Sequence, residues 1–145
     1  MNWRILEKIK ERNLQEHLFK LFTEKVRTVY EPAFIEYQKT MNDKNMNCRY
    51  EMIGNGIIFR YAFVLIPSPP FYGICFDNSK LEPFTHRSLY PLEIRKNDKQ
   101  NNRKNIQIEQ FSKNDIINDL TEITKLIQAE MKNKYRFWKY LGEER

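Results

Sequence analysis

The hydrophobic and polar positions of this chain change period twice. Trp3, Ile5, Leu6 and Ile9 recur among Arg4, Glu7, Lys8, Lys10 and Glu11, which predicts a helix from the start. Asn13 is placed to cap a second helix, its side chain accepting from the amide near Glu16. Leu14, Leu18, Leu21, Phe22, Val26 and Val29 then return at helical spacing, the mark of one buried face. Pro32 interrupts and biases Glu31 out of helical angles. A kink or restart is expected there, with Phe34, Tyr37 and Met41 continuing the apolar side.

A two-residue period follows. Cys48 to Met52 alternates, and Gly54-Asn55-Gly56 supplies the positive-φ residues of a tight hairpin. Residues 57–66, the most apolar run in the chain, are apolar on both faces except at Arg60, as in a central strand covered on both sides. Pro67-Ser68-Pro69-Pro70 stops it, since proline donates nothing to the ladder. Phe71–Phe76 reads as the next strand, Asp77-Asn78-Ser79 as a turn, and 78–88 as a loop. Leu89–Arg95 and Ile106–Phe111 read as a second hairpin. Helical spacing returns after Ser112, a cap with Asp115 three residues on; Ile116, Ile117, Leu120, Ile123, Ile127 and Met131 form its stripe. The sum is one α+β domain over 1–145, an antiparallel sheet of about five strands flanked by N-terminal helices and a long C-terminal helix.

Composition narrows this picture. At 145 residues with 41% hydrophobic content, the chain can bury a core without disulfide or metal staples. Cys48 and Cys75 match no metal or redox spacing, and no secretory apolar stretch opens the chain, so a reducing cytoplasm is expected. No segment approaches the ~18 apolar residues of a membrane span, and no membrane partner is expected. The net charge of +6 is uneven: residues 95–104 hold five Lys/Arg against one acid, and 134–145 hold four against two. Local basic patches of this kind favour an anionic partner.

Catalytic motifs are sparse. Gly54-Asn55-Gly56 lies between strands and opens no helix, so it is a turn and not a phosphate cradle. The chain contains no CxxC, HExxH or three-histidine set, and no cofactor or metal is expected. His17 reads as a surface residue, and His86 as a loop residue that could serve Cys48 or Cys75 as a base. Neither thiol has the basic setting that activates cysteine. Asp77 at a strand end, with Glu93 and Arg95 on another strand and preceded by Glu16 and Glu31 on a helix, can hold Mg²⁺ beside a cation. This arrangement distantly resembles the acidic motif of the PD-(D/E)xK nucleases. Arg95 stands where that family has lysine, Lys96 falls out of phase, and a polar loop replaces the following helix.

Binding chemistry is better represented. Arg95, Lys96, Lys99, Arg103 and Lys104 in one hairpin loop can straddle a phosphate backbone. Near the C-terminus Lys132, Lys134, Arg136 and Lys139 interleave with Tyr135, Phe137, Trp138 and Tyr140, a pattern suited to single strands because rings stack on bases while cations hold the backbone. The same aromatics, with Phe71 and Tyr72, suit a protein interface. The sequence therefore points to a non-catalytic binding or regulatory subunit, with a protein partner and possible nucleic-acid contact. The alternative is an Mg²⁺-dependent nuclease.

Overall fold

The computed structural model describes residues 2–44, 47–54, 56–62, 71–90 and 103–143. Helix α1 (Trp3–Lys25) passes through a π turn (Val26–Tyr30) into α2 (Glu31–Asp43). Five strands follow: β1 (Asn47–Ile53), β2 (Gly56–Ala62), β3 (Phe71–Phe76), β4 (Phe84–Tyr90) and β5 (Arg103–Gln107). Helix α3 (Lys113–Glu143) closes the chain. Every neighbouring strand pair is antiparallel and the sheet order is sequential, a five-stranded meander with helices, hence α+β.

Asn13 starts no helix. The N-terminal cap is Asn2, whose Oδ1 accepts from the Arg4 amide at 3.1 Å, and α1 runs unbroken past residue 13. Glu11, Arg12, Leu14, Gln15 and Glu16 are good helix formers. One interior asparagine costs at most ~0.7 kcal/mol, less than a helix break that leaves amides and carbonyls unpaired.

The irregularity falls at Pro32, as expected, in the form of a π turn before it. Leu18, Phe22, Val26 and Tyr30 are all buried and four residues apart. In a regular helix each such step drifts by about 40°, so the stripe would wind off the core. The wider π turn holds Tyr30 inward and accommodates a proline that would crowd the Thr28 carbonyl. Ala33, Phe34, Tyr37 and Met41 then carry the buried stripe along α2.

The described helices pack on one face of the sheet. Phe22 stacks on Phe76 at 5.3 Å, Phe34 meets Phe59 at 5.4 Å, and Tyr30 meets Phe111 at 5.3 Å. Ile57, Phe59 and Tyr61 of β2 face this layer, whereas Ile58 and Arg60 on the other face are half-buried. The strand is thus interior and flanked by β1 and β3, but it is not buried on both faces as its composition suggested. Residues 63–66 of the expected strand lie outside the described residues. Two glycines are required by geometry: Gly54 takes φ +51° in the hairpin, and a Cβ on Gly56 would stand 3.0 Å from the Ile74 carbonyl.

The expected 78–88 loop is shorter than its composition implied. A 3-10 turn spans Asn78–Lys80, and β4 begins at Phe84, so His86 is a strand residue. Polar Thr85 and Arg87 occupy the inward positions and hide the strand from a hydrophobic pattern. Thr85 Oγ1 donates to the Ile106 carbonyl at 3.1 Å, and Arg87 pairs with Asp119. Strand β5 likewise ends at Gln107, and Ile108 and Phe111 are buried beyond it in the turn before α3.

At the start of α3, Ser112 and Asp115 form the expected reciprocal cap. The Ser112 amide donates to Asp115 Oδ2 at 3.0 Å and the Asp115 amide donates to Ser112 Oγ at 3.2 Å. Ile116, Leu120, Ile123 and Ile127 are buried, and Ile117 is partly so.

Candidate interaction surfaces

The side chains of α1 change sides along its length. Leu18 and Phe22 are its only buried residues. Following their stripe toward the N-terminus by steps of three and four gives Leu14 and Gln15, then Glu11, Glu7 and Arg4, so the core-facing side becomes charged in the first turns. At 3.6 residues per turn, Ile5, Leu6 and Ile9 centre roughly 170° around the axis from Leu18 and Phe22. Trp3 is 76% exposed, Ile5 56% and Ile9 50%. A break at Asn13 would have given each segment its own face; continuity makes the two apolar faces oppose each other.

Strands β4 and β5 are antiparallel neighbours and β5 is the last strand in order, while residues 91–102, between them in sequence, lie outside the described residues. Arg103 and Lys104, expected in the connecting loop, open β5 and pair with Ser88 and Arg87. Arg95, Lys96 and Lys99 lie outside the described residues, as does Glu93. Lys134, Tyr135, Arg136, Phe137, Trp138, Lys139 and Tyr140 fall on the C-terminal turns of α3, where the backbone is described and the side chains are not.

Asp77 is committed to a turn. Its Oδ1 accepts from the Ser79 amide at 3.0 Å and the Ser79 hydroxyl at 2.6 Å, and the hydroxyl bond holds its carboxyl below the usual carboxylate range. Glu16 is exposed on α1, and Glu31 is half-buried at the start of α2. Among the described residues no group of three His, Cys, Asp or Glu is arranged to hold a metal ion.

Burial raises both thiols. Cys48 is buried, and burial pushes its thiol up to about 12. Cys75 is an exposed residue paired in register with His86, yet its sulfur lodges over Gly56, where a Cβ would come within 3.1 Å. Partial burial raises this thiol too, the opposite of what a nucleophile needs. His17 is exposed on α1.

Beneath α3 the structure assembles polar groups that sequence reasoning missed. The Tyr72 hydroxyl donates to Asp119 Oδ2 at 2.6 Å, and Arg87 Nη1 pairs with the same oxygen. The Arg87 side chain is 12% exposed, its guanidinium carbon 5.0 Å from the centre of the Phe111 ring, and its Nε has no hydrogen-bond partner among the described residues. Further along, Tyr37 lies 2.7 Å from Thr124 Oγ1, which lies 2.7 Å from the Leu120 carbonyl and 3.1 Å from the Tyr61 hydroxyl. Both groups tie α3 to the sheet. The available signal was a charged residue at an inward strand position and an aspartate beside the apolar stripe of α3.

On the opposite face of the sheet Arg60 pairs with Glu51 and lies 5.5 Å over the Phe71 ring, so its charge is partly spent. A depression of about 320 Å³ is lined by Leu21, Glu24, Lys25, Thr28 and Glu109. No described helix is long and apolar enough to cross a membrane. No family model, curated protein or solved structure matches this chain.

Proposed function

We propose that the protein is a non-catalytic binding or regulatory subunit of a larger assembly. In this reading it docks on a protein partner, while the basic segment around residues 95–104 and the aromatic-basic end of α3 contact nucleic acid. The observation that carries the protein-docking half is the exposure of Ile5 and Ile9 on the side of α1 turned away from its own core. Grouped exposed apolar side chains mark interaction sites, whereas single ones need no explanation. The nucleic-acid half rests on charge: five Lys/Arg against one acid within residues 95–104.

Native co-purification of the tagged chain from its own cells, with and without nuclease, tests this reading. A partner present in fixed ratio after nuclease is the expected result. Release of everything with the nucleic acid would leave only the basic elements, and a solitary chain in both preparations would overturn the proposal.

A further inference from the structure

Resting on the subunit reading, we propose that the first three turns of α1 insert as a helix into an apolar groove rimmed by carboxylates on the protein partner. Ile5 and Ile9 stand at i and i+4, and half-buried Leu6 stands three residues before Ile9, the three-and-four spacing by which a helix fills a groove. On the same helical projection Lys8 and Arg12 border the ridge on one side and Lys10 on the other, all exposed. Glu7 and Glu11 lie on the far side, in line with Leu18 and Phe22. The ridge is thus apolar with a cationic border on both flanks, and its acids are turned away. The complementary surface has an apolar floor and an acidic rim.

Two other occupants fit less well. A second copy of the chain would bring Lys8, Lys10 and Arg12 against the same cations, and three side chains fall short of the ~800 Å² per partner of a stable dimer. A membrane surface favours an apolar band that runs along the helix. Here the ridge ends after Ile9, because Asn13 and Glu16 occupy the next positions along it. The helix then continues into the domain at Leu18. A three-turn plug held rigidly by the rest of α1 suits a groove of limited length and loses little entropy on binding.

Photo-crosslinking in the full chain within its own cells tests this, with the probe residue placed singly at Ile9, Glu11, Lys99 and Lys139. The expected result is a discrete adduct from Ile9 and none from Glu11, the crosslinked partner peptide being apolar and flanked by Asp or Glu. With that partner purified, Ile5→Asp and Ile9→Gln should each weaken binding about tenfold or more, added salt should weaken it further, and thermal melting should stay unchanged. An Ile9 adduct with a second copy of this chain overturns the proposal. So does co-sedimentation of the chain with phosphatidylserine–phosphatidylcholine vesicles that Ile9→Gln abolishes. Adducts from Lys99 or Lys139 with none from Ile9 would remove the ridge and leave the subunit reading standing. Adducts from no position would remove both.

Discussion

The Tyr72 hydroxyl donates to the Asp119 carboxylate at 2.6 Å, bolting the middle strand of the sheet to the C-terminal helix through an oxygen that also pairs with Arg87. Burial raises the ionisation of this tyrosine well above its ordinary value, and the neighbouring Asp119 charge raises it further. The hydroxyl therefore stays protonated and remains a donor. Asp119→Asn should destabilise the fold by about 2–4 kcal/mol, within or just below the range for broken buried pairs because Asp119 keeps some contact with water. Tyr72→Phe should cost about 1.5–3 kcal/mol. Denaturant unfolding of both singles and the double should give less than the sum, since they share one acceptor; simple additivity would mean that the two groups act independently.

The reversal of faces along α1 predicts two classes of substitution within one helix. Ile5→Gln and Ile9→Gln should change stability by less than about 0.5 kcal/mol, as surface changes do. Leu18→Ala should cost about 2–5 kcal/mol and Phe22→Ala about 3–5 kcal/mol. Chemical denaturation of the four variants separates the classes. A large loss from Ile9→Gln would mean that the ridge packs within its own domain.

Stability should fall on the alkaline side. Burial raises the Cys48 thiol from 9.0 to about 12, and burial also raises the hydroxyls of Tyr30, Tyr37, Tyr61 and Tyr72 above 10.0. The unfolded chain releases these protons at lower pH than the folded one, so it binds fewer protons and stability declines as pH rises. These groups contribute fully below pH 9.0, and their contribution declines above it, more steeply past 10.0 once the tyrosines join. Melting followed by circular dichroism across this range should show the decline, with tyrosinate absorbance rising at the unfolding step. Ionisation of more than four of the eight tyrosines before unfolding would contradict the burial of these four rings.

Reversing Lys99, Arg103 and Lys104 to glutamate lowers the formal charge from +6 to zero. Binding to a fluorescent mixed-sequence single strand should drop at least tenfold and lose most of its salt dependence, while the melting temperature shifts little. Unaltered binding at moderate salt would remove this segment from the mechanism.

Ser112→Ala removes the hydroxyl that accepts from the Asp115 amide and should cost about 1 kcal/mol. Ser112→Asp, which retains an accepting oxygen, should restore most of it. Equal losses in both variants would show that the cap contributes through packing.

The sequence by itself determined the elements whose physics is local. The hairpin around Gly54, the irregularity before Pro32, the Ser112–Asp115 cap and the buried stripe of α3 are written in residues a few positions apart, where propensity, missing donors and periodicity act directly. The five-stranded α+β architecture follows from their order. Tertiary structure decided what depends on partners distant in sequence. Strand β4 reads as loop because Thr85 and Arg87 point inward, and they can do so only because Ile106 and Asp119 arrive from later in the chain. The burial of Tyr30 needs the π turn and Phe111 together. The candidate docking ridge shows the same division: its residues were legible at once as an apolar helix, but the side they face was not. That side depends on whether the helix continues through Asn13, and on Leu18 and Phe22 meeting the sheet and thereby setting the rotation of every turn before them.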